Sequence, residues 1–276
     1  MAADAQGAVD ERNRSFWDEL CGSGLARSLG ITEITPESLA HFDAAYMAYY
    51  PYLARYLDAL PVEGRETLEI GLGFGTVGQT LAARGARYHG ADIAAGPVAM
   101  MRDRLRRLGH AADGDIVQAS ALELPWSAES FDVVVSIGCL HHTGDLPRAI
   151  EDVHRVLRPG GVALVMLYNA HSFRRLVRVP RAHLGTLRRR RNGEEQVRAM
   201  YDTNSAGEAA PHTDFVSRRD VRRLFAAFSS VSVESQNFDP LTAPVGRGRH
   251  LTVPRERLLG SIARILGLDL YIRARK

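Results

Sequence analysis

Leu68-Glu69-Ile70-Gly71-Leu72-Gly73-Phe74-Gly75 decides the fold. The run Thr67–Gly71 reads as a short buried strand, and Gly75–Arg84 reads as a helix. The glycines therefore fall in a strand-to-helix turn. Glycine there lets the backbone turn tightly and approach a ligand with no Cβ in the way. Asp92 stands twenty-one residues after Gly71, at the end of the next apolar run, Arg87–Asp92. An acid in that place can accept both hydroxyls of a ribose. A tight turn with no ligand would account for the glycines alone; strand, helix and acid together point to a nucleotide-like ligand.

Outward from this turn, short apolar runs alternate with helical stretches. Strands are predicted at Asp115–Gln118, Phe131–Ser136 and Val162–Tyr168, and helices at Gly96–Leu108 and Asp145–Leu157. This alternation predicts a parallel sheet covered on both faces, an α/β Rossmann-like domain. Arg158-Pro159-Gly160-Gly161 should stop the last helix sharply. The alternation lapses after Tyr168 for about forty residues, which suggests a lid. It resumes where Ser217 and Asp220 open a helix in capping-box style. Val231–Phe238 reads as a strand, Pro254–Leu266 as a helix and Leu268–Ala274 as a closing strand. Residues 1–10 read as frayed, and Glu11 to Leu60 as helical, with Phe42, Tyr46, Tyr49, Tyr50 and Tyr56 as its aromatic set. The chain thus divides into an N-terminal helical cover (1–60), a core (61–169), a basic insert (170–213) and the rest of the core (214–276).

Composition narrows the class. Of 276 residues, 45% are hydrophobic and 24% charged, which suits a globular domain with a sizeable core. A net charge of +3 is too small to argue for a nucleic-acid partner. Cys21 and Cys139 form no CxxC, so neither a metal site nor a disulfide framework is expected, and a reducing cytoplasm fits. No secretory signal and no membrane span are expected, since no segment reaches about 18 consecutive apolar residues.

The spacing here is GxGxG, with Glu69 two residues before the first glycine. It resembles the first motif of the class I S-adenosylmethionine-dependent methyltransferases, closest to the small-molecule branch of ubiquinone and natural-product enzymes. Gly90-Ala91-Asp92-Ile93 resembles the family's ribose-binding strand end, and Ala119 to Trp126 its adenine-side loop. Phe131-Asp132-Val133-Val134-Val135-Ser136 through Leu140-His141-His142 resembles its fourth motif, and Arg155 to Gly161 its post-helix turn. The resemblance spans about residues 60–170. It implies a seven-stranded sheet with the last strand antiparallel, and S-adenosylmethionine as cofactor. It also implies a cofactor site of Glu69, Gly71, Leu72, Gly73, Gly75, Asp92, Ile93, Ser120, Ala121, Leu122 and Ile137. Ser120 departs from the pattern, since many relatives carry an aspartate there.

The implied activity moves a methyl group to an oxygen, nitrogen or activated carbon of a small-molecule acceptor. His141 and His142, just past the fourth strand, stand where such a sheet places its crevice, and either suits a general base near neutral pH. The plainer reading is a turn pair packing beside the cofactor. Tyr46, Tyr50, His142, Tyr168, Asn169 and His212 are expected to meet the acceptor. The arginines Arg174, Arg175, Arg178, Arg181 and Arg188–Arg191 leave two readings open: a solvated helix face, or the footprint of an RNA-modifying enzyme. The fourth motif lacks the Asn/Asp-Pro-Pro-aromatic sequence used to grip a flipped base, which lowers the RNA reading. A cofactor-binding protein without transfer activity, and assembly as a homodimer, both stay open.

Overall fold

The computed structural model describes residues 2–19, 23–110, 115–178, 193–244 and 249–276. Arg181 and Arg188–Arg191 of the basic insert, with Cys21, lie outside them.

Seven strands form one sheet: β1 (Glu66–Ile70), β2 (Arg87–Asp92), β3 (Ile116–Gln118), β4 (Phe131–Ile137), β5 (Leu157–Tyr168), β6 (Ser230–Gln236) and β9 (Asp269–Arg275). Their order is β3-β2-β1-β4-β5-β9-β6. β1 to β5 pair in parallel, and β9 runs antiparallel between β5 and β6. The expected seven-stranded topology with a reversed last strand is what the chain adopts.

Strand residues serve two cores by turns. Leu68, Ile70, Val134, Ala163, Val165 and Leu167 pack to one side, under Ala149, Ile150 and Val153 of α7 (Leu146–Val156). Val133, Val135, Leu164 and Met166 pack to the other. There they meet Leu53 and Leu57 of α4 (Leu53–Asp58), Leu81 of α5 (Thr76–Ala83) and Met101 and Leu105 of α6 (Ala95–Arg107). Successive strand side chains face opposite ways, so a doubly covered strand is apolar throughout.

The cover begins with α1 (Ala2–Trp17), α2 (Gly24–Ser28) and α3 (Pro36–Tyr49). Residues 2–10 are helical, contrary to the frayed reading. Gln6 donates to the Thr143 carbonyl (2.8 Å) and Asn13 to that of His142 (2.7 Å), which ties α1 to the turn after β4. Thr35 opens α3 with a reciprocal capping box to Ser38, and Pro36 occupies its first turn. Phe42 of α3 stacks on Phe74 of the glycine loop at 3.8 Å between centroids.

Three element readings need correction. α7 ends at Val156, and the strand runs from Leu157, whose pairing with Phe131 precedes a register shift. Pro254–Leu266 is not one helix but two turns, Glu256–Leu259 and Ala263–Leu266, with Gly260, Ser261 and Ile262 between. A hairpin, β7 (Leu241–Pro244) with β8 (His250–Val253), had no expectation at all.

Candidate active site

The sheet order reverses between β1 and β4, so a crevice opens beyond their carboxyl ends. Gly71 and Gly75 hold φ of +83° and +75°. A Cβ on Gly71 would sit 2.3 Å from that of Cys139, so only glycine lets the loop lie against the β4 turn. A Cβ on Gly73, at φ +48°, would meet nothing within 4 Å. It would project into the crevice that this residue lines.

The crevice has two parts. The first is a cleft of about 170 Å³. It is bounded by Gly71 and Gly73, by Asp92 and Ile93, by Ser120 and Ala121, and by Ile137 to Cys139. His142 and Thr143 follow, and Asp10, Asn13 and Trp17 of α1 form its roof. The second is a chamber of about 490 Å³ sharing Gly71, Gly73 and Ile137 with the first. Its walls include Glu69, Leu72, Gly75, Tyr46, Tyr50, Tyr168, Tyr201, Asp202 and Asp269.

Asp92 is buried at the end of β2. Its Oδ2 accepts from Leu72 N (2.7 Å) and its Oδ1 from Ala94 N (2.9 Å), with burial raising its pKa and these backbone donors opposing. Each carboxylate oxygen has a second lone pair for a ligand hydroxyl. Glu69 is equally buried and accepts from Tyr88 Oη. Burial pushes its carboxyl up to about 8, against the pull of that hydrogen bond.

The two histidines separate. A 3₁₀ turn, Leu140–His142, sends adjacent side chains in different directions. His142 reaches the cleft; His141 is fully buried between the rings of His142 (4.2 Å) and Tyr168 (4.1 Å). Burial, then the neighbouring His142, drives the pKa of His141 well below the usual value. His142 is also depressed, chiefly by burial. Its Nδ1 lies 2.7 Å from the His212 carbonyl, which can only accept. The ring therefore carries its proton on Nδ1 and leaves Nε2 free to take another. That Nε2 lies 3.7 Å from Asp202 Oδ2, and the same carboxylate receives Tyr168 Oη at 3.0 Å.

Three expected contacts do not reach the crevice. Asn169 spends its side chain on the Gly267 carbonyl (2.8 Å) and on His171 N (2.9 Å), joining strand end to loop. His212 acts through its backbone carbonyl, while its ring pairs with Asp214 at 3.1 Å. Leu122 packs in the core below the adenine-side loop. Sequence reasoning missed Asp10 and Asn13, because their stretch showed no sheet alternation, and Asp202 and Asp269, which no motif marks.

S-adenosylmethionine fits these residues. The open side of Gly73 leaves room for a ligand where any other residue would intrude, and Asp92 stands in the same cleft. Among the described residues no cluster of His, Cys, Asp or Glu is arranged to hold a metal ion. No helix among them is long and apolar enough to cross a membrane.

Comparison with known proteins agrees over the sheet. Residues 68–165 match the methyltransferase domain family. Over 102 residues the chain is 38% identical to the ubiquinone/menaquinone biosynthesis C-methyltransferase UbiE of Haemophilus ducreyi, covering 32% of this chain and 39% of that protein. Over 108 residues it is 32% identical to the ubiquinone biosynthesis O-methyltransferase of Pseudomonas aeruginosa, covering 38% and 45%. The chain thus spans less than half the length of these curated relatives. Among solved structures, a SAM-dependent methyltransferase of Thermotoga maritima superposes with a TM-score of 0.53 at 19% identity, over 84% of this chain and 90% of that one. This last likeness concerns the fold alone. The resemblance to class I S-adenosylmethionine methyltransferases holds over the matched segment.

Proposed function

We propose that the chain is an S-adenosylmethionine-dependent methyltransferase acting on a small-molecule acceptor, with His142 as its base. One observation carries this reading: a glycine-lined cleft ending at a buried acid opens into a larger aromatic chamber through a shared wall. The cleft suits an adenosine, and the chamber suits a second reactant. When bound, S-adenosylmethionine supplies a methyl group on a positively charged sulfur.

The chain's own residues would do the rest. Asp92 accepts the ribose hydroxyls, and Ser120 and Ala121 border the base. The Trp17 indole, 4.8 Å from the His142 ring, excludes water from the cleft roof. Nε2 of His142 takes the proton an acceptor hydroxyl or amine must lose. Asp202, at 3.7 Å, steadies the resulting imidazolium. The His212 carbonyl holds the ring in the needed tautomer.

The RNA reading draws no support from Arg174. That guanidinium is committed to Asp239 and turned over the Tyr201 ring.

Isothermal titration with S-adenosylhomocysteine tests the proposal. One saturable site is expected. A folded protein that takes up none overturns it.

A further inference from the structure

Asp269, at the head of β9, is a fully buried acid of the chamber with one carboxylate oxygen left unpartnered. Its exposure is 1%. Oδ2 accepts from Asn237 Nδ2 at 2.9 Å, while Oδ1 has no hydrogen-bond partner. A buried carboxylate oxygen without a donor is costly, and the cost is recovered when a ligand brings one. Asn237 is itself fixed: Arg255 Nη2 donates to its Oδ1 at 2.9 Å, so its amide nitrogen must face Asp269. The arrangement fixes the carboxylate of this chamber-lining residue, with Oδ1 the oxygen left without a donor.

Charge follows the same line. The chamber's lining includes three acids, Glu69, Asp202 and Asp269, and a single arginine, Arg174. That arginine is consumed elsewhere. Nε and Nη2 bind Asp239 at 2.9 and 2.7 Å, and Nη1 binds the Met200 carbonyl at 2.8 Å. Asp202 receives only a phenol hydroxyl, from Tyr168, and faces His142. Tyrosine rings, Tyr46, Tyr50, Tyr168 and Tyr201, form part of the remaining wall, beside small and apolar residues. Aromatic faces attract a cation, and buried carboxylates repel an anion.

We infer that the acceptor carries an ammonium group, anchored by Asp269 Oδ1 inside the tyrosine-lined chamber. The inference rests on the methyltransferase reading, because it treats the chamber as the acceptor's place. An acceptor carboxylate or phosphate would meet Asp202 and Asp269, while the nearby guanidiniums are already turned elsewhere, Arg174 to Asp239 and the Met200 carbonyl and Arg255 to Asn237 and the Tyr49 carbonyl. A neutral alcohol could donate to Oδ1 but brings no positive charge to the carboxylate.

Binding of matched probes to the protein saturated with S-adenosylhomocysteine tests this. Tyramine, its neutral counterpart tyrosol and its anionic counterpart 4-hydroxyphenylacetate share one ring and differ in the charge of the tail. Tyramine should bind at least about tenfold more tightly than either. In Asp269→Asn the tyramine preference should vanish while S-adenosylhomocysteine affinity stays unchanged. Equal binding of the three probes, a preference for tyrosol or the anion, or no tyramine binding to the loaded protein overturns the inference and leaves the methyltransferase reading intact. Loss of S-adenosylhomocysteine affinity in Asp269→Asn also overturns it, since the acid would then serve the cofactor's own amino group. Failure of the parent protein to bind S-adenosylhomocysteine removes both readings. The comparison of probes on the parent protein needs no variant to fold.

Discussion

Arg104 and Asp43 meet through a two-pronged ion pair, Nη1 to Oδ2 at 2.8 Å and Nη2 to Oδ1 at 2.9 Å. Arg104, on α6, is 3% exposed, and Asp43 comes from α3 of the cover. Thr76, the first residue of α5, donates to the same carboxylate at 2.6 Å. One acid thus fastens the tyrosine-bearing helix to the helix that follows the glycine loop. Removing it strands a buried guanidinium. Asp43→Ala should destabilise the fold by about 3–5 kcal/mol, whereas Asp43→Leu with Arg104→Met should lie closer to the parent. Urea denaturation measures both; a double variant weaker than the single one would contradict the account.

The Asp92 carboxylate has two tasks, holding the backbone of the glycine loop and receiving a ribose. Asp92→Ala should weaken S-adenosylhomocysteine binding by about 1–3 kcal/mol, read by calorimetry. Loop loosening would add to the loss, so Asp92→Asn, which keeps one accepting oxygen, should fall between the two. Unchanged affinity in a folded Asp92→Ala would remove the acid from the cofactor site.

Gln at position 142 removes the proposed base while keeping a polar side chain. His142→Gln should retain cofactor affinity and lose transfer rate by about 10²–10⁴-fold. His141→Gln should instead lower the melting temperature, because it places an amide in a buried ring-packed slot. With its pKa depressed by burial, His142 is neutral above the usual histidine range, so the parent's rate should be level there and fall at lower pH. A rate whose fall is centred at or above pH 6.5, in an enzyme that stays folded, would contradict a base held below that value by burial.

Glu69 makes stability itself pH-dependent. Its folded pKa stands at about 8, above the ordinary 4.5. Between those values the folded state holds a proton that the unfolded chain has released, so this contribution is full below 4.5 and lost as pH rises through about 8. Asp269, raised to about 7 by burial, works in the same sense. The buried histidines act oppositely, since their depressed pKa costs stability as pH falls below 6.5. Melting temperature should therefore decline as pH rises from about 6.5 to about 8, less steeply in Glu69→Gln, with no further fall from these groups above that. A parallel decline in both proteins would remove Glu69 as a cause.

The strands most legible in the sequence are those buried on both faces. Val133–Val135 of β4 and Val162–Leu167 of β5 form unbroken apolar runs because each side chain, whichever way it points, enters a core, and glycines with an acid at fixed distance mark the cleft after β1. Legibility fails where a residue's role depends on a distant partner. Arg174 reads as one of a basic run but is paired with Asp239, sixty-five positions on. Asp269 reads as the polar start of a strand, and its burial follows only from its register opposite Tyr168. Two adjacent histidines are chemically identical on paper, and the tight turn alone decides which one faces the ligand. The β7–β8 hairpin escaped notice because its strands are four residues each and β8 is mostly exposed, leaving no alternating pattern to read.

The reversed direction of β9 has a consequence for how such a protein can change. Parallel strands bring their last residues to the crevice; β9 brings its first, Asp269, and so hands the chamber a residue fed by the preceding segment. The adenosine-sized cleft draws only on positions 10 to 143. One side of the chamber, from Met166 to Asp269, comes after that span, while Tyr46, Tyr50 and the glycine loop lie within it. A chimera joined between α7 and β5 would therefore keep the cleft whole and exchange only the chamber's later side, the part that carries Asp202 and Asp269.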